Sequence, residues 1–149
     1  MEPTEIDSLI QFIIPIADVL TPNIAEAEKI SNIKINNISD MEKASKQIHQ
    51  MGCKNVLIKG GHLTGNALDV LFDGKQFHHF EAKRINTKNT HGTGCTYSAA
   101  IASNLALGLN MENSVNQAKN TLLRQLNILC QLEKGMDQLT TSMNFIKTG

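Results

Sequence analysis

Val56-Leu57-Ile58 is an unbroken run of branched apolar residues, and its flanks set the fold class. A strand apolar at consecutive positions is buried on both faces, which happens where helices cover a sheet. Before it, Ser39-Asp40-Met41-Glu42 has the pattern of a capping box, and Met41, Ala44, Ile48 and Met51 recur at helical spacing. Gly52 supplies the stop. After it, Gly60-Gly61 breaks a strand expected over residues 55–59. Upstream, residues 5–14 read as a helix with Ile6, Leu9, Ile10 and Ile13 on one stripe, ended by Pro15. Residues 17–20 read as a short strand closed by Thr21-Pro22-Asn23, and residues 24–30 as a short helix.

Downstream, residues 68–72 and 76–80 flank Asp73-Gly74, a hairpin signal that departs from the helix–strand alternation. A helix over residues 95–107 is dense in Ser98, Ala99, Ala100, Ala102 and Ser103, which permit close approach to a sheet. The last helix is expected over residues 112–132, with Val115, Ala118, Leu122, Leu126 and Leu129 as its stripe. Residues 1–134 form the domain in this reading, and residues 135–149 a polar, loosely held tail. The expected class is therefore α/β.

At 149 residues, 41% hydrophobic and 19% charged, the chain has the length of one domain and enough apolar residues for a core. Lys+Arg (14) equals Asp+Glu (14), so no basic excess draws it to nucleic acid. Cys53, Cys95 and Cys130 lack metal-ligand spacing and make an odd count, which fits a reducing compartment. The longest apolar stretch is broken by Pro15 and Asp18, and the acidic start (Glu2, Glu5, Asp7) is unlike a signal peptide. A cytoplasmic protein without membrane or nucleic-acid partners is expected.

The chemistry concentrates in Thr90-His91-Gly92-Thr93-Gly94-Cys95. Glycines before a helix turn backbone N–H groups toward one point, where the helix dipole adds positive charge, a setting for phosphate. Cys95 in the first helical turn lies in a field that favours thiolate, able to take a proton from a substrate hydroxyl. The other reading is a plain glycine turn with Cys95 as a small apolar residue. Asn23 and Glu26, three apart, either orient Mg²⁺ through its water shell or simply cap a helix. Lys59-Gly60-Gly61-His62 ends a strand where α/β sheets bind ligands, so Lys59 can meet a phosphate while the glycines admit a nucleotide; the alternative is an ordinary strand exit. His78 and His79, adjacent on a strand, face opposite ways and make no metal pair. Cys53 and Cys130 read as packing residues.

Four segments, in this order, resemble one family: Thr21-Pro22-Asn23-Ile24-Ala25-Glu26-Ala27-Glu28; Leu57-Ile58-Lys59-Gly60-Gly61-His62; Asp69-Val70-Leu71-Phe72-Asp73-Gly74; and Thr90-His91-Gly92-Thr93-Gly94-Cys95-Thr96 with Ser98-Ala99-Ala100-Ile101-Ala102. The chain resembles hydroxymethylpyrimidine/phosphomethylpyrimidine kinases of thiamine biosynthesis, in the ribokinase-like superfamily, up to about Lys134.

The resemblance implies a three-layer α/β fold that moves the γ-phosphoryl group of ATP, with Mg²⁺, to a small pyrimidine alcohol or its monophosphate. On that basis Gly92, Thr93 and Gly94 form the anion hole and Cys95 is the general base, where many relatives have Asp. Asn23 and Glu26 match the N-x-x-E motif for Mg²⁺. Lys59, Gly60 and Gly61 lie at the nucleotide, and Ala118 flanks the adenine. Family members are about twice this length, so the chain looks like a C-terminal half. Its tail from Gly135 lacks the family ending. A half leaves a mostly parallel sheet with an exposed edge. Self-association, marginal stability or a separate N-terminal polypeptide is therefore expected. A pyridoxal-type kinase and a non-catalytic nucleotide-binding remnant are the competing readings.

Overall fold

The computed structural model describes residues 3–60, 67–83, 85 and 92–147, with side chains from 5 to 133 within that set. The chain forms two compact units, Met1–Arg84 and Ile85–Gly149.

In the first unit α1 (Pro3–Ser8) continues into a π turn (Leu9–Ile13) and a 3-10 turn (Ile14–Ile16). The helix ends around Pro15 as expected, but its apolar stripe does not run as expected. Ile14 N–H donates to Leu9 O, five residues back, and this wider turn rotates the following residues. Ile14 is therefore 0% exposed, whereas Ile13, placed on the stripe by regular helical spacing, is 51% exposed.

The strand expected over residues 17–20 is reduced to bridges. Leu20 N–H donates to Asn55 O (3.0 Å), and Leu57 N–H to Leu20 O (2.8 Å). Among the described residues this segment makes two parallel bridges, Leu20↔Val56 and Asn23↔Lys59. Pro22 accepts from Lys59 N–H (2.9 Å) but has no N–H to donate in return, so the ladder is interrupted there.

Three strands follow: β1 (Val56–Gly60), β2 (Ala67–Phe72) and β3 (Phe77–Ala82), paired in that order. Both pairings are antiparallel, against the expectation of a mostly parallel sheet. The β2–β3 turn supplies the hairpin read from Asp73-Gly74. Its loop is longer than two residues, because Phe72 pairs with Phe77. Asp73 Oδ1 accepts from both Lys75 N–H and Gln76 N–H at 2.8 Å, and Gly74 takes φ +88°.

Helices α2 (Ile24–Ser31) and α3 (Ile38–Gln50) pack on β1, and α3 also on β2. Val56, Ile58 and Val70 meet Ala27, Ile30, Met41, Ala44 and Ile48 in one core. The cap of α3 is Asn37 rather than Ser39: its side chain accepts from Asp40 N–H (3.0 Å), and Asp40 reaches back to Asn36 N–H (3.2 Å). Two successive cap-like pairs occur in this stretch, and the one set further back wins because Asp40 serves both sides of it. Gly52 takes φ +114° beside Pro15, whose Cα a Cβ would approach to 2.9 Å, and this closes α3 as read from the sequence. Cys53 is buried, its Sγ on Asn55 O (3.0 Å); burial pushes its thiol pKa up, consistent with a packing role.

The second unit is a helical hairpin of α4 (Thr93–Ala106) and α5 (Met111–Lys147). Gly108 turns at φ +89°, and Asn104 Nδ2 donates to Ser114 O (3.0 Å) across the turn. Asn110 accepts from Asn113 N–H (2.8 Å) to begin α5. That helix does not stop near residue 132: the expected tail is helical to Lys147. Gly135 costs only about 1 kcal/mol within a helix, too little to end one. Among the described residues no helix is long and apolar enough to cross a membrane.

Candidate functional site

The site residues of the first unit gather at the end of β1. Asn23 caps α2 and its side chain accepts from Glu26 N–H (2.9 Å), while Glu26 Oε2 accepts from Asn23 N–H (2.8 Å). This reciprocal box is the capping alternative made real. It occupies one polar atom of each side chain. Among the described residues Glu26 Oε1 has no partner, so the carboxylate still suits a hydrated cation at this corner. A shallow cavity of about 150 Å³ opens beside Glu26, walled by Leu9, Leu20, Thr21, Pro22 and Ile30.

The register places Asn23, Lys59 and Asp69 in one row, on the bridging segment, β1 and β2. Directly opposed residues share a sheet face, so Lys59 and Asp69 project to the same side. Lys59 forms no ion pair among the described residues, which suits a phosphate partner. Gly60 follows it, and a Cβ there would stand 1.9 Å from Leu68 O, so only glycine fits. Gly61 and His62 lie outside the described residues, as do Thr90 and His91.

Asp69 lies within the Asp69–Gly74 motif without an assigned role. It is 6% exposed and Oδ1 accepts the Gly60 N–H at 3.1 Å. The signal was present: Asp69 is a carboxylate set within an otherwise apolar strand.

In the second unit Gly92 takes φ +79° as the N-cap of α4, with open space where a Cβ would be. Thr96 donates both its N–H (3.0 Å) and its hydroxyl (3.1 Å) to Gly92 O. The first amides of a helix have no acceptor within it. Those of Gly94 and Cys95 find none among the described residues. Cys95 is the third residue of α4 and exposed. Ala118 lies on α5, 1% exposed.

His78 and His79 part as expected. His78 Nε2 meets Asp73 Oδ2 and His79 Nε2 meets Glu42 Oε1, both at 2.9 Å. Among the described residues no group of three acidic, His or Cys side chains is arranged to hold a metal.

The family model for phosphomethylpyrimidine kinase matches residues 1–140. The hydroxymethylpyrimidine/phosphomethylpyrimidine kinase of Aquifex aeolicus is 39% identical over 125 residues, covering 83% of this chain and 49% of that protein. A phosphomethylpyrimidine kinase structure from Clostridium difficile superposes with TM-score 0.72 at 40% identity, covering 84% of this chain and 50% of the other. The pyridoxal kinase of Staphylococcus aureus in complex with ADP gives TM-score 0.80 at 34% identity, covering 83% and 46%. The chain thus spans about half the length of these relatives, and less of fused bifunctional ones. Its four motifs, its α/β fold and these matches agree: the chain belongs to the phosphomethylpyrimidine kinase family.

Proposed function

We propose that this chain serves ATP-dependent phosphoryl transfer to hydroxymethylpyrimidine or its monophosphate, as the part that handles phosphate and nucleotide. The observation that supports the reading is the N-terminus of α4: amides at Gly94 and Cys95 that find no acceptor among the described residues, with the Cys95 thiol exposed beside them. Mg-ATP would supply the γ-phosphoryl group. The Gly92–Gly94 turn cradles phosphate oxygens and offsets charge as the transfer proceeds. Cys95 takes the proton of the attacking hydroxyl. Asn23 and Glu26 face the hydrated cation, Lys59 meets phosphate, the glycines after it let the nucleotide approach, and Ala118 lies near the base. Residues 1–134 form this functional part.

Relatives carry about as much chain again beyond the matched part. Turnover uses that further chain, covalently continuous or supplied as a separate polypeptide. The exposed apolar cluster of Phe12 (61%), Ile13 and Ile16 (77%) supports a need for such cover, by a second polypeptide or a second copy. A pyridoxal-type alcohol is the second substrate reading, supported by the likeness to the pyridoxal kinase of Staphylococcus aureus.

Calorimetry with Mg-AMP-PCP tests the binding step, and a coupled kinase assay tests turnover with each alcohol. The assay is run with and without the complementary half of a full-length relative. Absence of nucleotide binding overturns the reading, and binding without turnover in either assay identifies a non-catalytic nucleotide module.

A further inference from the structure

We propose that Asp69 is a positioning residue for the end of β1, fixing the Lys59–Gly60 step at the point where a phosphate is met. The role of that strand end as a phosphate contact rests on the functional reading above. What Asp69 itself holds does not.

Asp69 stands opposite Lys59 in the β1–β2 register and is almost wholly buried. A buried carboxylate is costly unless its oxygens are bonded. Here Oδ1 accepts the Gly60 N–H, and this bond closes the last residue of β1. Gly60 is also pressed against β2: a Cβ would meet Leu68 O at 1.9 Å and Met41 Cε at 3.1 Å. The strand end is therefore held twice by the same neighbour, once by contact and once by the carboxylate. Two consequences follow for chemistry. The Gly60 amide is committed to Asp69 and is not a donor for ligand, so Gly60 acts through its small size. The position of Lys59 at the end of β1 is set by its pairing with β2, with Lys59 left out of any ion pair among the described residues.

The test compares Asp69→Ala, Asp69→Ser and Asp69→Asn in the full chain. Asn keeps the shape and an oxygen acceptor, Ser is too short to reach, and Ala removes the acceptor. Amide exchange at Gly60 is followed by NMR without nucleotide, and Mg-AMP-PCP affinity by calorimetry on the same samples. Loss of one such bond predicts about tenfold faster exchange at Gly60 in the Ala and Ser variants, with Leu57 and Ile58 unchanged, and about tenfold weaker nucleotide binding. Asn restores both. Unchanged Gly60 exchange in the Ser or Ala variant overturns the proposal. So does an Asn variant that protects Gly60 yet binds nucleotide as weakly as Ala, since the charge itself would then act. A wild-type chain that binds no nucleotide overturns the functional reading, while exchange at Gly60 still decides the role of Asp69.

Discussion

Asn23 and Glu26 hold each other's backbone amides, at 2.9 Å into the Asn23 side chain and 2.8 Å into the Glu26 carboxylate. A pair proposed to face a hydrated cation is thus also the device that starts α2. The two jobs are compatible because the cap uses Asn23 Oδ1 and Glu26 Oε2, while Glu26 Oε1 has no partner among the described residues.

Glu26→Gln separates those jobs. Gln caps as well as Glu, so unfolding free energy stays within about 0.5 kcal/mol of wild type. Mg²⁺-dependent nucleotide binding weakens about tenfold, as loss of one charged contact predicts. Asn23→Ala instead costs about 1 kcal/mol of stability. Urea unfolding and Mg²⁺ titrations check both, and unaltered Mg²⁺ dependence in Glu26→Gln would reduce the pair to a cap.

Cys95 is exposed on the first turn of α4, so Cys95→Ala leaves stability within about 0.5 kcal/mol. Loss of a general base lowers turnover about 10²–10⁴-fold, measured with the complementary half present, with nucleotide affinity retained. Cys95→Asp recovers part of that rate. Wild-type turnover in the Ala variant would remove Cys95 from the chemistry.

Asp73 gives the fold an acid-sensitive turn. Burial pushes its carboxyl pKa up, but the Gln76 amide, the His78 ring, the Lys75 amide and the His78 charge together outweigh this and lower it from 3.8 to about 2. Because the folded value is depressed, the stabilisation is complete above the ordinary value and is lost as pH falls toward the folded one. Asp73→Asn keeps the turn and loses the charge. It is expected to be about 1 kcal/mol less stable at pH 6, after allowance for solvent screening. The gap closes between pH 4 and pH 2, read by urea unfolding; a constant gap across that range would refute the assignment.

Ile13 and Ile14 test the π turn directly. Ile14→Ala opens a cavity in the core and costs about 2–5 kcal/mol. Ile13→Ala, at a half-exposed position, costs about 1 kcal/mol or less. Equal losses would mean that the stripe follows a regular helix.

The nature of several helices and strands was legible locally, though the strand expected over residues 17–20 and the loose tail expected from residue 135 were not borne out. Val56-Leu57-Ile58 announced a buried strand, Asp73-Gly74 a hairpin, Gly52 a helix stop, and Asn23 with Glu26 a helix start. Each depends on the conformational limits of a few neighbouring residues, and those limits travel with the sequence. The motifs around Lys59 and Cys95 likewise carried the family resemblance. Tertiary structure decided what spacing alone leaves open. Whether Ile13 or Ile14 turns inward depends on one wide turn. Whether strands pair parallel or antiparallel depends on which segments come to lie side by side in the sheet. The grip of Asp69 on Gly60 exists only because two residues nine positions apart are brought side by side by that pairing. Such contacts are chosen by packing among distant segments, and no local pattern encodes them.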